Sequence, residues 1–90
     1  MIPRLADHAR LGKDRVTGEA VLLAPETAIT LNPTGTAILG LCDGRRSLGD
    51  IVKNLSEVFE APEEELAGDV REFLERLADR GYLRWETREE

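Results

Sequence analysis

Few residues of this 90-residue sequence have the chemistry of a catalyst or a metal ligand, and the strongest candidates are one cysteine, Cys42, and one histidine, His8. A structural zinc site takes four Cys or His ligands, so this pair falls short and no cofactor is expected. To act as a nucleophile, Cys42 would need a stabilised thiolate. Its neighbours at helical spacing are the apolar Ile38 and Leu41, which predicts a buried, inert thiol. His8, near a polar terminus, reads as an exposed side chain. Glu63-Glu64-Glu65 has the composition of an acidic patch for a partner or a cation, but carboxylates at the start of a helix also suit the positive end of its dipole. The solvated helix start is the expectation. Neither the glycine spacing of a dinucleotide fingerprint nor that of a P-loop occurs, so phosphates have no cradle. Nothing in the spacing selects an acid–base pair from the 18 Asp and Glu. The inventory predicts a binding protein, not an enzyme.

Length and charge narrow the partners. A chain of this size supports one hydrophobic core, here expected to span 1–90 as a single domain. With 12 Lys and Arg against 18 Asp and Glu, the net charge is −6, which repels nucleic-acid phosphates and anionic lipid. A single cysteine excludes an intramolecular disulfide, and the start Met-Ile-Pro-Arg-Leu-Ala-Asp-His lacks an apolar signal region. No apolar run has the length of a membrane span. A soluble, cytoplasmic protein is the default expectation.

The elements that must position any site follow from local signals. Arg10–Lys13 is a weak strand candidate, Asp14–Glu19 has turn chemistry with Thr17-Gly18, and Ala20–Ala24 is an apolar run ended by Pro25, together suggesting a hairpin. Thr27–Leu31 alternates small or polar with large apolar residues, so Ile29 and Leu31 should point inward. Asn32-Pro33 starts a first helix by capping and by proline at the first helical position. Ala37, Ile38, Leu41 and Cys42 form its stripe, and Gly44 is placed to end it in a left-handed conformation. Ser47-Leu48-Gly49-Asp50 has capping-box spacing before Leu48, Ile51, Val52, Leu55 and Phe59. Pro62-Glu63-Glu64-Glu65 opens a third helix with the stripe Leu66, Val70, Phe73, Leu74 and Leu77, and Gly81 ends it. Tyr82–Trp85 suits a short closing strand, and Glu86–Glu90 reads as a polar tail that frays.

A hairpin beside packed helices is also the plan of a winged-helix transcriptional regulator. Charge argues against that alternative: from Pro62 to Arg80 the third helix carries seven carboxylates against three arginines, a net −4. Such a helix enters a major groove at a cost.

The order and spacing of several segments resemble a known family. Leu31-Asn32-Pro33-Thr34-Gly35-Thr36-Ala37, Leu41-Cys42-Asp43-Gly44, Ser47-Leu48-Gly49-Asp50-Ile51, Phe73-Leu74-Glu75-Arg76-Leu77 and Gly81-Tyr82-Leu83 look like the pyrroloquinoline quinone (PQQ) biosynthesis peptide chaperones, the PqqD family. The resemblance covers nearly the whole chain. It implies an α+β, winged-helix-like fold in which an N-terminal three-stranded antiparallel sheet is followed by three helices. It also implies a recognition element for ribosomally made precursor peptides, which binds a PqqA-like precursor and presents it to a PqqE-like radical SAM enzyme. In such domains the peptide adds as a strand beside the third strand and packs on the third helix. Carried onto this sequence, the site is Thr27, Ala28, Ile29, Thr30 and Leu31 with Val70, Phe73 and Leu77. Plain core packing is the competing reading for the last three. A free strand edge also permits weak homodimerisation, the second alternative, from the class of self-associating structural domains.

Overall fold

The structure, a computed structural model, describes residues 1–87. Eight elements follow in order: β1 (Ile2–Leu5), β2 (Arg10–Lys13), β3 (Ala20–Ala24), β4 (Thr27–Thr30), α1 (Pro33–Gly40), α2 (Leu48–Phe59), α3 (Glu63–Asp79) and β5 (Leu83–Glu86). β2, β3 and β4 form an antiparallel meander, and β1 pairs antiparallel with β5 in a separate two-stranded sheet. The α+β class, the three-stranded sheet and the three helices match the sequence reading.

β1 was not expected. It pairs Ile2 with Glu86 and Leu5 with Leu83, so Glu86, read as the start of a frayed tail, instead closes β5. Its carboxylate lies 3.4 Å from the Arg4 guanidinium. Thr87 belongs to no element, and the remainder of the expected tail, 88–90, lies outside the described residues.

Caps fix the helix boundaries. The Asn32 side chain accepts from the Gly35 N–H at 2.6 Å, with Pro33 at the first position of α1. At α2, Ser47 Oγ accepts from the Asp50 N–H at 3.1 Å and the Asp50 carboxylate accepts from the Ser47 N–H at 3.2 Å, a complete capping box. α3 ends in a Schellman turn, in which the Tyr82 N–H donates to Leu77 C=O, the Gly81 N–H donates to Ala78 C=O, and Gly81 sits at φ +83°. A side chain at Gly81 would have to hold that left-handed geometry at a cost of about 1 kcal/mol or more.

Gly44 plays a different part from the one expected. α1 stops at Gly40, capped by Leu41 in the right-handed region, and Gly44 takes its positive φ in the following loop. Asp43 organises that loop by accepting from the backbone N–H groups of Arg45 (2.9 Å) and Arg46 (3.3 Å). The Arg45 N–H is the main influence holding its carboxyl below the usual range, and the Arg46 guanidinium, 2.7 Å away, acts in the same sense.

One core unites the layers. Leu22 from the sheet, Ile38 and Leu39 from α1, Ile51, Val52 and Leu55 from α2, Val70, Leu74 and Leu77 from α3 and Leu83 from β5 share a single buried cluster. Each such Leu, Ile or Val contributes about 1.5–3 kcal/mol by leaving water. Cys42 belongs to this cluster, and its thiol donates to Ile38 C=O at 3.3 Å. Burial, reinforced by the Asp43 charge, pushes the thiol up to about 12, as expected of an inert residue. Phe59, placed in the α2 stripe by its spacing, falls at the last helical position and is exposed.

Candidate functional site at the edge of β4

β4 is an outer strand: β3 lies on one side, and no described strand pairs with the other. Which peptide groups face outward follows from one hydrogen bond. Leu31 stands opposite Ala20 in the register, and its N–H donates to Ala20 C=O at 2.9 Å. In an antiparallel ladder such pairs alternate. Thr27, Ile29 and Leu31 therefore direct their N–H and C=O groups toward β3, and Ala28 and Thr30 direct theirs to the open side.

Side chains alternate in a complementary way. Ile29 is half-buried and Leu31 buried, whereas Thr27, Ala28 and Thr30 are exposed. Ile29 meets α3 across a shallow groove of about 170 Å³ lined by Ile29, Phe73, Arg76, Leu77 and Arg80. Phe73 is held from the far side by the first turn of α1: a Cβ at Gly35 would lie 3.3 Å from the Phe73 ring. Glycine at 35 thus lets the ring seat against α1.

Of the eight residues assigned to the site from sequence, the structure brings Ile29, Phe73 and Leu77 together in this groove, with the outward peptide groups of Ala28 and Thr30 on the β4 edge. Thr27 and Leu31 extend that strand with their peptide groups turned inward. Val70 is 1% exposed, does not line the groove and packs in the core. Arg76 and Arg80 line the groove and were missed. Their signal was present, since 73, 76, 77 and 80 share one helical face, but arginines near a helix C-terminus are explained equally well by the dipole.

The groove's chemistry is that of recognition. Among the described residues no cluster of His, Cys, Asp and Glu could hold a metal ion, and none of the groove's side chains is a nucleophile or a general base. No described helix is long and apolar enough to cross a membrane.

Residues 19–83 match the family described as Coenzyme PQQ synthesis protein D (PqqD). The chain belongs to the PqqD family. A "PqqA binding protein" of Rhizobium meliloti is 43% identical over 82 residues, covering 91% of this chain and 84% of that one. The solution structure of the PqqD truncation of Methylobacterium extorquens PqqCD, a stand-alone recognition element for ribosomally synthesised and post-translationally modified peptides, superimposes with a TM-score of 0.80 at 33% identity. The match covers 93% of this chain and 89% of that one. TbiB1, solved in complex with the TbiA(beta) leader peptide, has the same fold at 22% identity, with a TM-score of 0.77 over 94% of this chain and 99% of its own. Membership of the family makes the domain a peptide-recognition element, in agreement with the groove.

Proposed function

We propose that this chain is a peptide chaperone of PQQ biosynthesis, which binds a PqqA-type precursor as an added strand on β4 and presents it to a radical SAM enzyme. The carrying observation is the junction of an open strand edge with an apolar helix wall. Ala28 and Thr30 offer main-chain donors and acceptors, while Ile29, Phe73 and Leu77 offer a surface for every second side chain of the guest. An extended segment held at an edge leaves the chain on either side of it free, which is what presentation to a second protein requires. The partner name of the Rhizobium meliloti relative supports PqqA as the guest. We assign the chain to the cytoplasm, where ribosomally made precursors arise, as a single domain.

The test is a two-dimensional amide NMR titration of the full chain with the Rhizobium meliloti PqqA peptide. The largest shifts are expected at residues 27–31 and along 73–80. Shifts confined to the β2 edge or to the exposed face of α2 would overturn strand addition at β4.

A further inference from the structure

The protein is strongly acidic, yet the groove beside β4 has no carboxylate among its lining residues and two arginines. Arg76 meets Glu72 at 3.7 Å, with both side chains about 70% exposed. An ion pair so open to solvent is worth little and exchanges readily for a better partner. Arg80, the C-cap of α3, has no ion-pair partner among the described residues. Complementing the helix dipole explains why an arginine stands near a C-terminus. It does not require that both arginines flank the same apolar groove as Phe73 and Leu77.

The spacing fits an added strand. Four residues of α3 rise about 6 Å, and alternate residues of a strand are about 6.6–6.8 Å apart. Phe73 and Leu77 therefore match two successive same-face side chains of a strand laid along the helix. Arg76 and Arg80 repeat that interval, displaced toward the helix C-terminus. A guanidinium recognises a carboxylate through paired, charge-assisted hydrogen bonds that are directional as well as strong.

We propose that Arg76 and Arg80 make the groove selective for a peptide segment in which an acidic side chain stands two residues from an apolar one. The apolar side chain sits on Ile29, Phe73 and Leu77, the carboxylate pairs with the arginines, and the intervening residue points to solvent. This selectivity rests on the strand-edge reading above. It adds a charge requirement that main-chain pairing alone does not impose, and it gives an acidic protein a local means of holding an acidic guest.

The experiment is a calorimetric double-mutant cycle on the full chain. The parent and the R76Q/R80Q variant are titrated with the Rhizobium meliloti PqqA peptide and with forms of it in which each Asp or Glu is replaced singly by Asn or Gln. Both arginines are exposed, so the variant is expected to melt with the parent. We expect R76Q/R80Q to weaken binding about tenfold, and one peptide replacement to do the same to the parent. That replacement should have less than about a twofold effect on the variant, because the shared interaction is already gone. If R76Q/R80Q binds within about twofold of the parent, or the two losses simply add, the selectivity is overturned. NMR separates the two readings: shifts at 27–31 with no dependence on the arginines overturn the charge requirement alone, whereas tight binding without those shifts overturns the strand edge and, with it, this proposal.

Discussion

β2 and β4 are the two outer strands of one sheet, yet β2 reads Arg-Leu-Gly-Lys and β4 reads Thr-Ala-Ile-Thr. β2 carries a cation at each end, and its outward peptide groups belong to Leu11 and Lys13, because Asp14 and Glu19 fix the ladder's alternation at the other side of β3. β4 carries no charge and runs beside Phe73 and Leu77 on α3. Charged side chains on an edge discourage pairing with another chain. An uncharged edge beside an apolar wall invites it. The same backbone chemistry is thus blocked on one side of the sheet and offered on the other, and the choice is made by four residues per strand together with the helix behind one of them.

The sharpest way to break this contrast is to remove single N–H groups. Proline at Ile29 deletes an inward bond to β3 together with core packing, with an expected loss of about 2–4 kcal/mol of stability in a urea titration. Backbone methylation at Thr30, or proline at Ala28, should leave the urea midpoint nearly unchanged and lower PqqA affinity about tenfold, through a lost hydrogen bond and a steric clash. Proline at Leu11, the equivalent outward position of β2, should change neither the urea midpoint nor PqqA affinity. Equal binding losses at Leu11 and Ala28 would erase the distinction between the edges.

Both edges rest on one core, so a perturbation inside it should affect them together. Cys42 supplies one. Its folded thiol is pushed up to about 12, against 9.0 for an ordinary thiol, so between those values the folded chain holds a proton that the unfolded chain releases. The resulting stability is complete below about pH 9 and is lost as pH rises toward 12, by at most about 1.4 kcal/mol per pH unit. The difference in unfolding free energy between the parent and C42A should shrink accordingly from about pH 8 to about pH 10.5, while the ratio of PqqA affinities for the two folded proteins stays constant. A pH-independent difference would mean that the thiol meets water in the folded state.

The smallest effect is expected at the guarded edge. Replacing Arg10 and Lys13 by threonine gives β2 a composition like that of β4 and removes two charges that oppose pairing. Sedimentation velocity should show concentration-dependent self-association stronger than the parent's, with PqqA binding intact. A variant that associates no more than the parent would show that these cations do not guard the edge.

The parts of this arrangement that were legible in the sequence are those set by near neighbours. Asn32-Pro33, the Ser47–Asp50 box and Gly81 each satisfy backbone groups within a few residues, so their meaning travels with the local sequence. Thr27–Leu31 was legible because alternation is itself a local pattern. β1 was not, since Pro3 and Arg4 interrupt any strand-like run and its partner lies some eighty positions away at Leu83–Glu86. Pairing at that range leaves no periodic trace. The α1 terminus misled for a similar reason: a glycine with positive φ suits a loop held by Asp43 as well as a helix end, and only the hydrogen bonds distinguish them. The parity of β4 depended on one long-range bond from Leu31 to Ala20. Val70 and Phe73, three residues apart on one stripe, parted into core and groove according to what α1 and β4 place over them.

The pairing of β1 with β5 brings Ile2 beside Glu86, so residues 2–86 form nearly a ring closed by a clasp. A ring has no privileged opening. Joined by a short linker across the clasp and cut at the exposed turn around Arg15 and Val16, the chain would keep every strand of both sheets. Grafted into a loop of a larger enzyme, it would ask the host only for two neighbouring attachment points, with the β4 edge left free to receive its guest.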